Sequence, residues 1–169
     1  LLSRGFDPNA RDEKGQPALT LALRDGSAKV VELLLGHPQL SVDAPNAANE
    51  TALMMAALRG NLPAMKGLLA RGAAVNRPGW NPLHYAASGP SVEAVTLLLE
   101  QGAAIDARSP QGHTALMMAA RYGSEASVQR LLQARADVRL RNEREQDAAD
   151  FARLGGREKL AEELARLAR

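Results

Sequence analysis

Near its centre the chain reads Asn81-Pro82-Leu83-His84-Tyr85-Ala86-Ala87, and altered forms of this stretch recur along its length. They occupy residues 17–23, 51–57 and 114–120, with a weaker form at residues 147–152. Subtracting the successive positions of matching residues gives steps of 34, 30, 33 and 33 between Leu19, Leu53, Leu83, Leu116 and Ala149. A fixed period in this range is typical of a solenoid built from stacked repeats.

The units also end alike. The chain reads Leu68-Leu69-Ala70-Arg71-Gly72-Ala73-Ala74-Val75-Asn76 at the end of one unit, and residues 98–106 match it position by position. Together the two patterns resemble the ankyrin repeat, whose T-P-L-H-x-A motif matches best at residues 81–86, where Asn81 replaces Thr. The resemblance covers essentially all 169 residues. It implies an all-α ankyrin-repeat solenoid of helix-turn-helix units joined by β-hairpin-like fingers.

The repeats divide a single predicted ankyrin-repeat domain that covers residues 1–169. Residues 1–9 align with the end of a unit, so we expect them to be the remnant of a truncated N-terminal repeat. Full repeats are predicted at residues 11–46, 47–77, 78–108 and 109–141, followed by a C-terminal capping repeat at residues 142–169.

Helices this short cannot bury their apolar faces alone, so the units must stabilise one another by stacking. We predict that paired leucines fill the interfaces between units; the pairs are Leu33-Leu34, Leu68-Leu69, Leu97-Leu98 and Leu131-Leu132. Met55 and Met118 are predicted to fill the same core. In the cap, Leu160, Leu164 and Leu167 are predicted to form one apolar stripe. Arg135 replaces the glycine that ends the second helix of other units, which argues against a left-handed turn there.

Composition narrows the possible functions. The 21 basic and 19 acidic residues leave a net charge of only +2, which does not indicate a nucleic-acid surface. The alternative interpretation is a nucleic-acid-binding module that uses the 17 surface arginines. Cysteine is absent, which excludes disulfides and cysteine-based sites. The histidines His37, His84 and His113 lie in different units, and we predict no catalytic residue, metal site or cofactor. The resemblance implies a structural hydrogen-bonding role for His84.

The resemblance places the finger tips and the ends of the first helices on a concave groove that faces a partner. The third finger is three residues short, since Asn76 to Leu83 spans 7 positions and Asp106 to Leu116 spans 10. Trp80 either covers the resulting gap or contacts the partner, and both interpretations stay open. The candidate partner-binding residues are Trp80, Arg121, Tyr122, Arg59, Leu58, Arg24, Asp25, His113, Glu50 and Lys14.

The function that the resemblance implies is a non-catalytic protein–protein interaction scaffold that binds a partner protein through its finger tips and concave groove. We expect a monomer that does not span a membrane, because no apolar run approaches the roughly 20 residues that a bilayer requires. Arginine exceeds lysine by 17 to 4, and this excess with abundant alanine suggests a bacterial source. The compartment stays open, and both the periplasm and the cytoplasm fit.

Overall fold

A computed structural model describes residues 6–169 of the chain. The described part contains ten α-helices and no β-strand. In chain order they are α1 (Ala18–Arg24), α2 (Ala28–Leu35), α3 (Ala52–Arg59), α4 (Leu62–Ala70), α5 (Pro82–Ser88), α6 (Val92–Glu100), α7 (Ala115–Tyr122), α8 (Glu125–Gln133), α9 (Ala148–Leu154) and α10 (Glu158–Leu167). The all-α solenoid expected from the repeats is confirmed. Of the predicted N-terminal remnant, residues 1–5 lie outside the described part.

The helices form two parallel rows. The odd-numbered helices α1 to α9 form an inner row, and the even-numbered helices α2 to α10 form an outer row. Helices α3, α5, α7 and α9 pack on one another far more extensively than α2, α4 and α6 do. A stack whose inner row packs more closely than its outer row curves towards the inner side, which gives the molecule its concave groove.

Three of the five inner helices, α5, α7 and α9, begin with a side-chain cap. Asn81 lies just before α5, and its side-chain oxygen accepts hydrogen bonds from the N–H groups of Leu83 and His84. Pro82, as first helical residue, has no N–H to satisfy. Thr114 caps α7 and Asp147 caps α9 in the same way. These caps start the inner helices of the third, fourth and last repeats at equivalent residues, whereas Pro17 before α1 and Thr51 before α3 make no such side-chain hydrogen bond.

Asparagine and aspartate at the end of one unit bind the next unit. Asn9 Oδ1 accepts from the N–H of Ser41 at 2.7 Å, and Asn76 Oδ1 accepts from the N–H of Ala104 at 2.8 Å. Asp43 and Asp106 make the equivalent bonds to Ala74 and Asp137. The repeated Asn or Asp that closes the unit pattern is thus a link between neighbouring units.

Four fingers are turns closed by their first side chain, which accepts hydrogen bonds from the N–H groups two and four residues later; these first residues are Asp12, Asn46, Ser109 and Asn142. The only bridge of β type in residues 6–169 joins Arg11 to Pro17, so the fingers resemble hairpins without forming strands. The shortened finger of the third unit, which ends at Trp80, has no such turn among the described residues.

The leucine pairs pack against the core as predicted, with one exception: Leu69, Leu97 and Leu132 are half-buried against it, and only Leu33 is not. Leu34 and Leu68, like Leu98 and Leu131, are completely buried, whereas Leu33 is 49% exposed. Two adjacent residues on a helix project about 100° apart, so one leucine of each pair is buried more deeply than the other. In α2 it is Leu35 that approaches Gly67 of the next outer helix, and no helix of residues 6–169 covers Leu33.

Two further corrections have the same cause. Leu167 of the predicted cap stripe is 60% exposed, while Leu160 and Leu164 are buried. In the methionine pairs it is Met54 and Met117 that are fully buried, and their sulfur atoms accept the N–H of the preceding threonine caps at 3.4 Å. Met55 and Met118, which were expected to fill the core, are half-buried at its edge.

The turn at Arg135 is left-handed although the residue is not glycine. Its φ is 69°, and its N–H still donates to the carbonyl of Leu132. The expectation based on the missing glycine is therefore wrong: the N–H of Ala136 donates to the carbonyl of Leu131, as the N–H of Ala73 and of Ala103 do to Leu68 and Leu98 in the units that have glycine. None of the helices found in residues 6–169 has the length and apolar character needed to cross a bilayer.

Candidate functional site

The central feature of the groove is a depression between the third finger and the ends of three inner helices. Its volume is about 220 Å³. We call it the central depression and define it by its lining residues, which are Leu58, Trp80, His84, Tyr85, Ser88 and Met118. Side chains from α3, α5 and α7 meet here because the three helices are consecutive in the inner row.

Trp80 forms one wall of the central depression and is half-buried. Its ring meets three others edge to face, with centroid distances of 5.2 Å to His84, 6.4 Å to Tyr85 and 5.8 Å to His113. Packing of this kind holds the indole in place while part of it stays accessible. The geometry therefore fits both of the roles that the sequence left open.

Tyr85 is held by a carboxylate from the second finger. Its hydroxyl donates to Glu50 Oε1 at 2.8 Å, and Glu50 Oε2 accepts from the side-chain amide of Asn46 at 2.7 Å. Burial, followed by the nearby Glu50 carboxylate, raises the pKa of Tyr85 well above its ordinary value. Glu50, a candidate partner-binding residue, thus uses both oxygens to fix the second finger against α5.

His84 joins the third unit to the fourth finger. Its Nε2 lies 3.1 Å from the carbonyl oxygen of Ala107 and 2.9 Å from that of His113, so this nitrogen carries the proton and donates. Nδ1 accepts from the N–H of Asn81 at 3.2 Å. Burial lowers the pKa of His84, which favours this neutral form. The structural hydrogen-bonding role expected for His84 is confirmed.

His113 lies in a row of rings and not at a free finger tip. Its imidazole packs between Trp80 and Phe151, with a centroid distance of 5.1 Å to the latter. Its pKa is lowered by burial and then by the positive charges of Arg144 and Arg121. The expected outward-facing position of His113 is therefore only partly correct, because the ring is half-buried.

Two arginines flank the central depression at the ends of α3 and α7. Arg59 is exposed, and its Nη2 donates to the carbonyl oxygen of Arg24 at 2.9 Å. The guanidinium of Arg121 lies 4.8 Å from the ring centroid of Tyr122, which is 55% exposed. Within residues 6–169 neither Arg59 nor Arg121 forms an ion pair. Both charges therefore remain available to a partner.

The other candidates lie in the first unit. Arg24 and Asp25 pair with each other at 2.9 Å on the exposed surface, and Lys14 is exposed on the first finger. None of these three lines the central depression. Met118, in contrast, lines it although the sequence placed this residue in the core. The available signal was its alignment with Tyr85, which occupies the same position one repeat earlier.

Several arginines serve the fold itself. Arg157 Nη1 donates to the carbonyl oxygens of Ala119, Ala120 and Gly123 at 3.0–3.1 Å and so caps the end of α7. Arg71 Nη1 caps α2 by donating to the carbonyl oxygen of Leu35, the last residue of that helix, and it also donates to the carbonyl oxygen of His37 at 2.7 Å. These two guanidinium groups are therefore engaged by backbone carbonyls of the fold. No group of acidic and histidine side chains in the described chain is arranged to hold a metal ion.

Comparison with known proteins agrees with the repeat pattern. A family model described as ankyrin repeats (3 copies) matches residues 1–78 and 74–142. Nuclear factor NF-kappa-B p105 subunit of Gallus gallus is 34% identical over 84% of this chain and 15% of its own length. B-cell lymphoma 3 protein homolog of Mus musculus is 32% identical over 84% of this chain and 33% of its own length. Rabankyrin-5 of Mus musculus is 31% identical over 82% of this chain and 12% of its own length.

The chain thus spans a third or less of these three relatives. All three are eukaryotic, so they give no support to the bacterial source suggested by the composition.

Proposed function

Because the chain belongs to the ankyrin-repeat family, whose repeats are in general protein-interaction modules, we propose that it is a non-catalytic module that binds a partner protein through its finger tips and concave groove. The observation that carries this proposal is the central depression. It combines Trp80, an apolar wall from Leu58 and Met118, and two flanking arginines that form no ion pair with any of residues 6–169.

The types of residue fit a binding surface. Tryptophan, tyrosine and arginine dominate the energetics of protein interfaces, and their large side chains act where a pocket excludes water. Trp80, Arg121 and Tyr122 supply these three types within neighbouring units of the groove. Trp80 is also held by its neighbours before binding, so little side-chain entropy is lost on association.

Affinity capture from a lysate of the source organism tests the proposal with two matched double variants. Trp80→Ala with Arg121→Ala removes the groove residues, and Leu167→Ala with Arg166→Ala removes an exposed apolar residue and an arginine from α10. We expect the wild type and the α10 variant to retain one partner and the groove variant to lose it. Thermal unfolding of each variant shows whether the fold is intact.

Two results would contradict the proposal. A partner that the groove variant still captures does not bind at the central depression. If both variants lose the partner equally while both stay folded, the loss is not specific to the groove.

A further inference from the structure

Resting on the proposed function, we infer that the central depression receives one apolar side chain of a linear segment of the partner, and that this segment carries carboxylates on both sides of that residue. The inference depends on three properties of the site: which polar groups in the lining are already bonded, which charges surround the depression, and how far apart the flanking cations lie.

The lining offers few free polar groups. Among the described residues, Tyr85 donates its hydroxyl to Glu50, His84 donates Nε2–H to two carbonyls, and the Ser88 hydroxyl donates to the His84 carbonyl at 2.9 Å. Of the remaining lining residues, Leu58 and Met118 are apolar, and Trp80 offers a single polar group, its indole N–H, which has no hydrogen-bond partner among residues 6–169. A polar side chain that entered the depression would lose its hydration and find almost no partner, which costs free energy. An apolar side chain has no such cost, and the volume of about 220 Å³ suits one large residue.

The charges around the depression are mostly positive. The ends of α3 and α7 contribute Arg59 and Arg121, and the fifth finger contributes Arg144 together with Glu143. Arg121 and Arg144 both act electrostatically on His113, so their fields overlap at the rim. Two other acids lie nearby: Glu50, whose oxygens are bonded to Tyr85 and Asn46, and Asp25, which is paired with Arg24 beside Arg59. A partner with carboxylates complements this field, and one with lysines or arginines is repelled.

The spacing of the cations predicts where the carboxylates lie. Arg59 ends α3 and Arg121 belongs to the last turn of α7, with α5 between them. Packed helices lie about 8–10 Å apart, so the two arginines are about 16–20 Å apart along the groove. An extended chain covers this distance in about five or six residues. The segment should therefore carry carboxylates about two or three residues on each side of its apolar residue.

Selection from a random peptide display library tests this inference without assuming a partner. Peptides of about 12 residues, twice the predicted span, are selected on the wild-type protein after depletion on Trp80→Ala. We expect enriched peptides to share one large apolar residue with Asp or Glu two or three positions before and after it. Synthetic copies lacking tryptophan are then titrated, with the fluorescence of Trp80, the sole tryptophan, as readout.

Reversing the charge of one rim arginine provides a second experiment. Arg121→Glu should weaken binding of the acidic peptide roughly tenfold, since it replaces an attraction by a repulsion. A peptide with lysine in place of the facing carboxylate should recover the lost affinity on this variant and not on the wild type. Arg166→Glu on α10, also an exposed arginine changed to glutamate, should leave both affinities unchanged.

The outcomes separate the two ideas. Peptides that need Trp80 but show no acidic bias, or an Arg121→Glu variant that binds the acidic peptide as well as the wild type, overturn the inference and leave the proposed function standing. Failure to enrich any Trp80-dependent peptide overturns the idea of a linear segment, while the capture experiment still decides whether a folded partner binds. Displacement of the peptide by a single-stranded oligonucleotide at about 0.15 M salt would assign the rim to nucleic acid instead.

Discussion

Replacing Gly123 by alanine should destabilise the protein although the change adds only one methyl group. Gly123 follows α7 with φ of −85°, a conformation that any residue can adopt. The position has no room for an additional side-chain atom. A Cβ atom there would overlap the carbonyl oxygen of Ala87, at the end of α5, and would lie 2.9 Å from the Cα of Ala119. Both neighbours are backbone or helix-core atoms, so no side-chain rotation can relieve the clash.

The magnitude follows from the movement that alanine requires. Carbon atoms in contact lie about 3.5–4.0 Å apart, so the ends of α5 and α7 must separate by about 1 Å. Overpacking of a well-packed interior costs typically about 1–3 kcal/mol. Because Leu83 and Leu116 fill the interface between the same two helices, we expect a loss in the upper half of that range.

The measurement is urea denaturation followed by far-UV circular dichroism, with Gly36→Ala as the matched control. Gly36 ends α2 with φ of −74°, and a Cβ there meets nothing closer than 3.5 Å. Alanine at Gly36 should leave stability unchanged or raise it by about 0.4–1 kcal/mol. If Gly123→Ala unfolds within about 0.5 kcal/mol of the wild type, close backbone contact does not determine the spacing of the inner helices.

Four further outcomes are expected. Arg157→Ala should lower the free energy of unfolding by about 2 kcal/mol, since it removes a charged donor from three carbonyls at the end of α7. Arg153→Ala, which loses only an exposed ion pair, should lower it by under about 1 kcal/mol. Equal urea midpoints for the two variants would contradict the capping role. Burial lowers the pKa of His84 in the folded chain below its ordinary 6.5, so protonation favours unfolding. The urea midpoint should therefore be constant above about pH 6.5 and fall as the pH is lowered below that value. In His84→Met the midpoint should fall less steeply with pH. Arg135→Gly should raise the melting temperature by about 1–3 °C by relieving a left-handed arginine, and a decrease would show that the side chain stabilises the turn. Leu83→Ala should cost about 2–5 kcal/mol by equilibrium denaturation because the residue is 1% exposed, and a change below about 1 kcal/mol would contradict its place in the core.

Much of the fold could be predicted from the sequence because repeats reveal their own boundaries. The five aligned residues from which the period was measured, Leu19, Leu53, Leu83, Leu116 and Ala149, each lie near the start of an inner helix. The pattern could not decide which leucine of a pair is buried, since this depends on the rotation of each outer helix about its axis. Leu33 and Leu34 are equally apolar, and only the positions of neighbouring helices separate them.

The candidate site was less predictable, because its chemistry depends on contacts between units. Alignment placed Glu50 on the groove side of the second finger, and the structure shows that Tyr85, 35 residues later, binds its carboxylate. Arg157 has no local partner in the sequence, and its three acceptors lie 34 to 38 residues earlier. Such pairs join equivalent regions of neighbouring repeats, so a search for interactions about one period apart is the signal that could have found them.

The groove and the glycines are two consequences of one packing arrangement. Glycines that follow the inner helices let each helix approach the backbone of the one before it: a Cβ on Gly89 would lie 2.5 Å from the Leu58 carbonyl oxygen, and one on Gly155 would lie 2.6 Å from that of Arg121. The residues that meet these glycines, Leu58 and Arg121, are also the wall and the rim of the binding surface. A substitution that forces the inner helices apart should therefore widen the central depression and move its flanking cations. We expect Gly89→Ala to reduce partner binding by more than its loss of stability explains, which peptide titration of the folded variant would measure directly.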